Sequence, residues 1–169
     1  HKFWLEALGL QGDYRATRVA PSELAAYFAE RVADPDWRGC NVTIPHKQSV
    51  LPFLAEASAI GAVNCIVPES GRLIGCNTDV DGIAEALAEA DLSKCVLIGA
   101  GGAAKAALAY FEKAGEIVQI TRRNIDHVEL LEGATVIVNA TPLGMAHAGP
   151  MPQTLLDALP AGATALDMV

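Results

Sequence analysis

Two residues in this chain are well suited to moving a proton: Lys47, which closes Asn41-Val42-Thr43-Ile44-Pro45-His46-Lys47, and Asp79, which closes Asn77-Thr78-Asp79. Each follows a short strand-like stretch, and a lysine and a carboxylate brought together at strand ends form a proton-transfer pair. Reduction of a ketone by hydride leaves negative charge on oxygen, so a nearby acid must deliver a proton as that charge develops; oxidation needs the reverse. Lys47 can serve both directions, because a carboxylate beside it favours the charged, proton-donating ammonium and fixes its position. Without further context, a lone Lys and a lone Asp are more often surface charges.

A second chemistry lies further along. Gly99-Ala100-Gly101-Gly102-Ala103-Ala104 follows an apolar run and opens an alanine-rich one, the strand-to-helix setting that gives G-x-G-x-x-A its meaning. Gly99 permits the tight turn, Gly101 lets backbone N–H groups approach a pyrophosphate, and Ala104 lets the helix pack close to the sheet. An ordinary glycine turn is the bland alternative. About twenty residues on, where an NAD site carries an acidic residue for the ribose hydroxyl, the sequence reads Thr121-Arg122-Arg123. Two guanidiniums and a hydroxyl suit a 2′-phosphate, which Arg grips through charge-assisted hydrogen bonds, so the expected cofactor is NADP. Lys105 either assists or is plain helix surface. Asn139-Ala140-Thr141-Pro142-Leu143-Gly144-Met145 follows a third apolar run and is expected to border the nicotinamide, since ligands of doubly wound sheets sit at strand carboxyl ends.

The elements that must carry these residues alternate. Strands are expected over 14–19 and 39–44, with a helix over 21–33 that has Pro in its first turn. A helix is expected over 49–59, then strands over 62–67 and 73–76 parted by Glu69-Ser70-Gly71. Residues 79–90 read as a helix. The remainder reads as strand 95–98, helix 102–114, strands 117–120 and 135–139, a short helix near 153–158 and strand 164–168, an open parallel sheet flanked by helices. The fold class is therefore α/β: a substrate-binding lobe over 1–78, a linking helix over 79–90 and a Rossmann-type NADP-binding lobe over 91–169. Residues 123–134 leave too little room for a full crossover helix plus another strand.

Composition removes several classes. A chain of 169 residues that is 51% hydrophobic can bury one ordinary core or two small ones. Its net charge of −8 argues against nucleic acid or an anionic membrane as partner. No run reaches the length of an apolar membrane span, and the start lacks the layout of a signal peptide. Cys40, Cys65, Cys76 and Cys95 show no C-x-x-C spacing and read as reduced, mostly buried thiols of a cytoplasmic protein. No metal site is expected, because His46, His127 and His147 share no ligand spacing and suit surface or loop positions.

Five motifs, Asn41 to Lys47, Gly61-Ala62-Val63-Asn64, Gly75-Cys76-Asn77-Thr78-Asp79, Gly99 to Ala103 and Asn139 to Met145, occur in the order found in the shikimate dehydrogenase family, which the chain resembles over nearly its whole length. The resemblance implies reversible, NADP-dependent interconversion of 3-dehydroshikimate and shikimate in aromatic amino-acid (chorismate) biosynthesis. It makes Lys47 the acid/base and puts Asp79 on the substrate hydroxyl beside it, with Asn64 and Thr43 holding other polar groups. Gly99, Ala100, Gly101, Gly102 and Ala103 would cradle the cofactor with Thr121, Arg122 and Arg123; Thr141 and Met145 would line the nicotinamide side. The assembly expected is a monomer or homodimer.

The sequence departs from the family at Cys40, Cys65 and Cys76, which are expected as buried packing variants. The interval from Lys47 to Asn64 is short by about a helical turn, and that from Arg123 to Ala134 is shorter still. His1 resembles the residue after the family's serine-containing substrate motif, and Asp167-Met168-Val169 the strand before its C-terminal segment. Both ends are therefore expected to be truncated, and 169 residues alone to bind cofactor at best. Two alternatives stand beside the main reading: a quinate/shikimate dehydrogenase using NAD, and a non-catalytic ligand-binding paralogue.

Overall fold

Cys95, Val96, Leu97 and Ile98 are buried one after another, the pattern of a strand covered on both faces. In the computed structural model, which describes residues 1–168, they form β5 (Lys94–Ile98) at the centre of a parallel sheet. β6 (Glu116–Ile120) lies on one side; β7 (Val136–Asn139) and then β8 (Thr164–Asp167) lie on the other, giving the order β6-β5-β7-β8. Because the chain leaves β5 for one side and later returns to the opposite side, the carboxyl end of β5 is a topological switch point, where such sheets form a ligand crevice.

Both faces of this sheet are packed. Cys95, Leu97, Val136 and Val138 meet Ile83 and Leu87 of α3 (Asp79–Ala86) and its C-terminal turn, and Ala104, Ala107 and Phe111 of α4 (Gly102–Tyr110) and the 3-10 turn after it. Val96, Ile98 and Ile137 face the other way, onto Leu131 and onto Leu155 of α5 (Gln153–Asp157). The β6-to-β7 crossover carries only the 3-10 turn Val128–Leu131, in agreement with the short interval. Buried Leu131 anchors it under the sheet.

The other sheet, with β1 at Cys40–Asn41 and β2 at Glu56–Ala57 as its edges, has the order β1-β3-β4-β2. β3 (Cys65–Glu69) and β4 (Arg72–Cys76) form a hairpin closed by Ser70 and Gly71 at φ 50 and 75, the pair of positive φ values that a two-residue type I′ turn requires. α1 (Lys2–Ala7) buries no residue, whereas α2 (Leu24–Ala33) places Leu24 and Phe28 on a core with Val42, Val50, Val63, Ile66 and Leu73. Gly75 of β4 lies under that core, and a Cβ there would meet Leu54 Cδ1 at 2.5 Å and Val63 Cγ2 at 2.9 Å.

Several elements differ from the sequence reading. Residues 14–19 form no strand; the segment is instead tied to its neighbours by the Tyr14 hydroxyl, which donates to Asn41 Oδ1 at 3.0 Å, and by Val19 O, 2.8 Å from His46 Nε2. His46 is thus half-buried rather than on the surface. Of residues 39–44 only β1 (Cys40–Asn41) pairs with β3, because the chain turns at Thr43–His46, through a cis Ile44–Pro45 bond. The helix expected over 49–59 is only the 3-10 turn Leu51–Phe53, containing Pro52. Leu54 is extended and Ala55 N–H donates to Leu73 O, so the edge of β4 draws the backbone into β2 (Glu56–Ala57). β3 begins at Cys65 rather than residue 62, and α3 ends at Ala86. Val169 lies outside the described residues.

The cysteines are all free, and only Cys95 is buried. Cys76 is exposed because it lies on the face of β4 opposite Gly75, away from the core. Burial, reinforced by the nearby Cys65 thiol, pushes Cys40 from its ordinary 9.0 up to about 11. The unfolded chain therefore releases this proton at lower pH than the folded one. The associated stability is complete below pH 9 and is lost as pH rises to about 11. Urea unfolding midpoints are expected to fall more steeply over that window for the unaltered chain than for Cys40→Ala; parallel declines would contradict it.

Candidate functional site

Lys47 follows the turn that ends the Asn41-to-Lys47 run, and Asp79 opens α3 just after β4. The structure brings them together: Lys47 Nζ donates to Asp79 Oδ2 at 2.6 Å, with side chains only 16% and 21% exposed. So little exposure weakens solvent screening, and the attraction exceeds that of a surface pair. Asn64 Nδ2 donates to the other carboxylate oxygen at 2.8 Å and to Thr78 Oγ1 at 3.0 Å, while its Oδ1 accepts from Thr78 N–H. Both amide hydrogens of Asn64 are thereby used on its neighbours, and its Oδ1 also has the Thr78 hydroxyl at 3.4 Å, the longest contact of the network. The ammonium keeps two hydrogens beyond the one it gives Asp79. Thr43 is exposed and its hydroxyl has no partner among the described residues.

Asn77 is the residue that sequence reasoning passed over here. Only 9% exposed, it donates from Nδ2 to Ala62 O and accepts Asp79 N–H on Oδ1, both at 3.0 Å. It thus fixes the start of α3 against the segment that carries Asn64. Asn77→Leu would strand a buried carbonyl and a helix N–H, and is expected to cost about 2 kcal/mol by urea unfolding. An unchanged midpoint would contradict this role.

The glycine loop meets this network directly. A Cβ at Gly102 would lie 2.8 Å from Lys47 Cβ and 3.2 Å from its Cδ, so the start of α4 rests on the lysine stem. At Gly99, φ is 127 and a Cβ would sit 2.8 Å from Ala140 O and 3.2 Å from Thr141 N, a left-handed close approach that only glycine accommodates. A Cβ at Gly101 would meet nothing within 4 Å, so its backbone faces open space. Ala100 is exposed, Ala103 half-buried, and Ala104 packs into the core as the fingerprint requires.

Flanking loops border Gly99. On the β6 side, Gly99 N–H donates to Ile120 O, and Gln119 Nε2 donates to Gly99 O at 2.7 Å. Thr121 to Arg123 form a turn held by Asn124, whose Oδ1 accepts from Thr121 N–H and Oγ1. The i to i+3 spacing of Thr121 and Asn124 is a local signal that would have identified Asn124. Both guanidiniums are exposed with no ion pair among the described residues, free for an anion. On the β7 side, buried Asn139 accepts from Thr141 N–H and Oγ1 and donates to Asp167 Oδ1. Met145 lies on the same loop and is 41% exposed. An open glycine turn, a helix N-terminus and two unpaired arginines fit a phosphorylated dinucleotide. Among the described residues no His, Cys, Asp and Glu cluster has metal-ligand geometry, and no helix is long and apolar enough to cross a membrane.

Comparison with known proteins converges on one family. Residues 1–66 match the model of the shikimate dehydrogenase substrate-binding domain. A NADP(+)-dependent shikimate dehydrogenase of Sphingopyxis alaskensis is 42% identical over 194 positions, covering all of this chain and 70% of that protein. The alignment exceeds the 169 residues of the chain, so the relative carries positions that this sequence lacks. The corresponding enzyme of Methylocella silvestris is 37% identical over 89% of the chain and 64% of its own length. Among solved structures, the Thermus thermophilus shikimate 5-dehydrogenase in complex with NADP(H) and shikimate superposes with a TM-score of 0.81 at 32% identity, over 100% of this chain and 72% of that one.

Proposed function

Because the chain belongs to the shikimate dehydrogenase family, we propose that it carries out reversible, NADPH-dependent reduction of 3-dehydroshikimate to shikimate, a step toward aromatic amino acids. The observation that carries this reading is the Lys47–Asp79–Asn64 network lying against Gly102, which sets a proton donor beside the expected dinucleotide loop. Residues 1–78 act as the substrate lobe, 79–90, which contain α3, as the linking segment and 91–169 as the cofactor lobe. We place the protein in the cytoplasm, as a monomer or homodimer.

The chemistry contributed by bound NADPH is hydride delivery to the substrate carbonyl carbon. Lys47 holds a proton on Nζ and gives it to the carbonyl oxygen as charge builds there; in the oxidative direction it removes the hydroxyl proton. Asp79 orients the ammonium through Oδ2 and is itself held by Asn64 through Oδ1. Thr43 and Asn64 bond substrate hydroxyls without adding charge, Asn64 by exchanging its long contact with the Thr78 hydroxyl for the ligand. Gly99, Ala100, Gly101, Gly102 and Ala103 would hold the pyrophosphate and Thr121, Arg122 and Arg123 the 2′-phosphate, with Thr141 and Met145 on the nicotinamide side. Full-length protein assayed with shikimate or quinate, each with NADP+ or NAD+, is expected to turn over fastest with shikimate and NADP+. Preference for quinate or NAD+ would move the assignment to the broader dehydrogenase.

A further inference from the structure

Lys105 stands one turn into α4, where a phosphate contact would be the simple expectation. Instead its half-buried side chain reaches across to the bend between β2 and β3 and donates from Nζ to Gly61 O at 3.0 Å. Gly61 has φ 69, and a Cβ there would lie 3.0 Å from Lys105 Nζ, so the ammonium sits directly over the turn.

Gly61 begins a four-residue rail in which every residue has a defined hydrogen bond. Ala62 O accepts from Asn77 Nδ2, Val63 N–H donates to Lys47 O at 2.7 Å, and Asn64 N–H donates to Cys76 O at 3.1 Å. The rail ends at the Asn64 side chain, which grips Asp79, which in turn holds Lys47. Of these bonds, the one from Lys105 alone comes from α4, the helix whose first turn rests on the Lys47 stem at Gly102. A shift of α4 when its N-terminus takes up phosphates would thus reach Asn64 and Asp79 through Lys105.

We propose that Lys105 is a positioning residue that couples the two ligand sites, so that cofactor on α4 tightens substrate binding at Lys47 and Asp79. This rests on the function proposed above. An ammonium pointed at a backbone carbonyl in a half-buried contact is a directional tie, and breaking it leaves each site assembled without a directional bond from α4 to the Gly61–Asn64 segment, while the packing of Gly102 on the Lys47 stem remains.

The test uses shikimate with NADPH, both in the reduced state and so unable to react. Calorimetry on the full-length protein gives the shikimate Kd with and without NADPH. Saturating NADPH is expected to tighten shikimate by about tenfold, within the usual range of coupling between sites. Lys105→Met should bring that factor to about one while NADPH alone binds within about twofold of the unaltered protein. Lys105→Arg, which can still donate to Gly61 O, should restore most of it; a merely stabilising contact would not move this ratio. Coupling that survives Lys105→Met, or is absent from the unaltered protein, overturns the proposal. Should Lys105→Met not fold, Lys105→Gln is read the same way. Failure of either ligand to bind the unaltered protein overturns the proposed function, an outcome distinct from loss of coupling.

Discussion

Lys47→Ala is expected to lower kcat by about a thousandfold, within the range for removal of a positioned general acid, while NADPH affinity stays within about twofold. The ammonium is the one group in the network with hydrogens left to give, since Asp79 accepts from both sides and the Asn64 amide is spent on Asp79 and Thr78. Truncation also leaves the Asp79 carboxylate without its partner and removes the stem beyond Cβ on which Gly102 rests, but it takes no hydrogen bond from the glycine loop. A stopped-flow NADPH titration beside the steady-state assay separates the two effects. A large loss of cofactor binding would mean that Lys47 serves the dinucleotide rather than the proton.

Replacing Arg122 and Arg123 together by alanine is expected to raise the KM for NADP+ by about a hundredfold and to leave the KM for NAD+ nearly unchanged. Each charge-assisted hydrogen bond to a 2′-phosphate contributes about 1.5 kcal/mol or more, and neither guanidinium has another ion partner among the described residues to lose. The Asn124 hydrogen bonds to Thr121 should keep the turn in place in the variant. Equal losses with both cofactors would show that the arginines act on the loop, not on the phosphate.

How legible these sites were in the sequence follows the range of the forces that build them. β5 and β7 stood out because strands buried on both faces need unbroken apolar runs, and the glycine turn because close approach of Gly99 to Ala140 excludes a side chain. Lys47 and Asp79 were found by ordered motifs; periodicity could not pair them, since their contact depends on how β4 ends and α3 begins. The region around Pro52 misled because its apolar spacing suits a helix, while the free edge of β4 offers backbone partners that win. Cys76 misled for a related reason: Leu73 and Ile74 before it are apolar, but strand alternation turns it outward. The bonds of Asn77 to Ala62 O and of Lys105 to Gly61 O were not legible, because each is made to a backbone carbonyl set by the tertiary fold.

The central claim is that this site reduces 3-dehydroshikimate, and a single turnover tests it most directly. Full-length protein preloaded with NADPH and in excess is mixed with 3-dehydroshikimate, and the loss of nicotinamide absorbance is followed while the product is identified. The account predicts stoichiometric conversion to shikimate. Binding of both ligands with no change in absorbance would contradict it, and would leave a binding protein built on this fold.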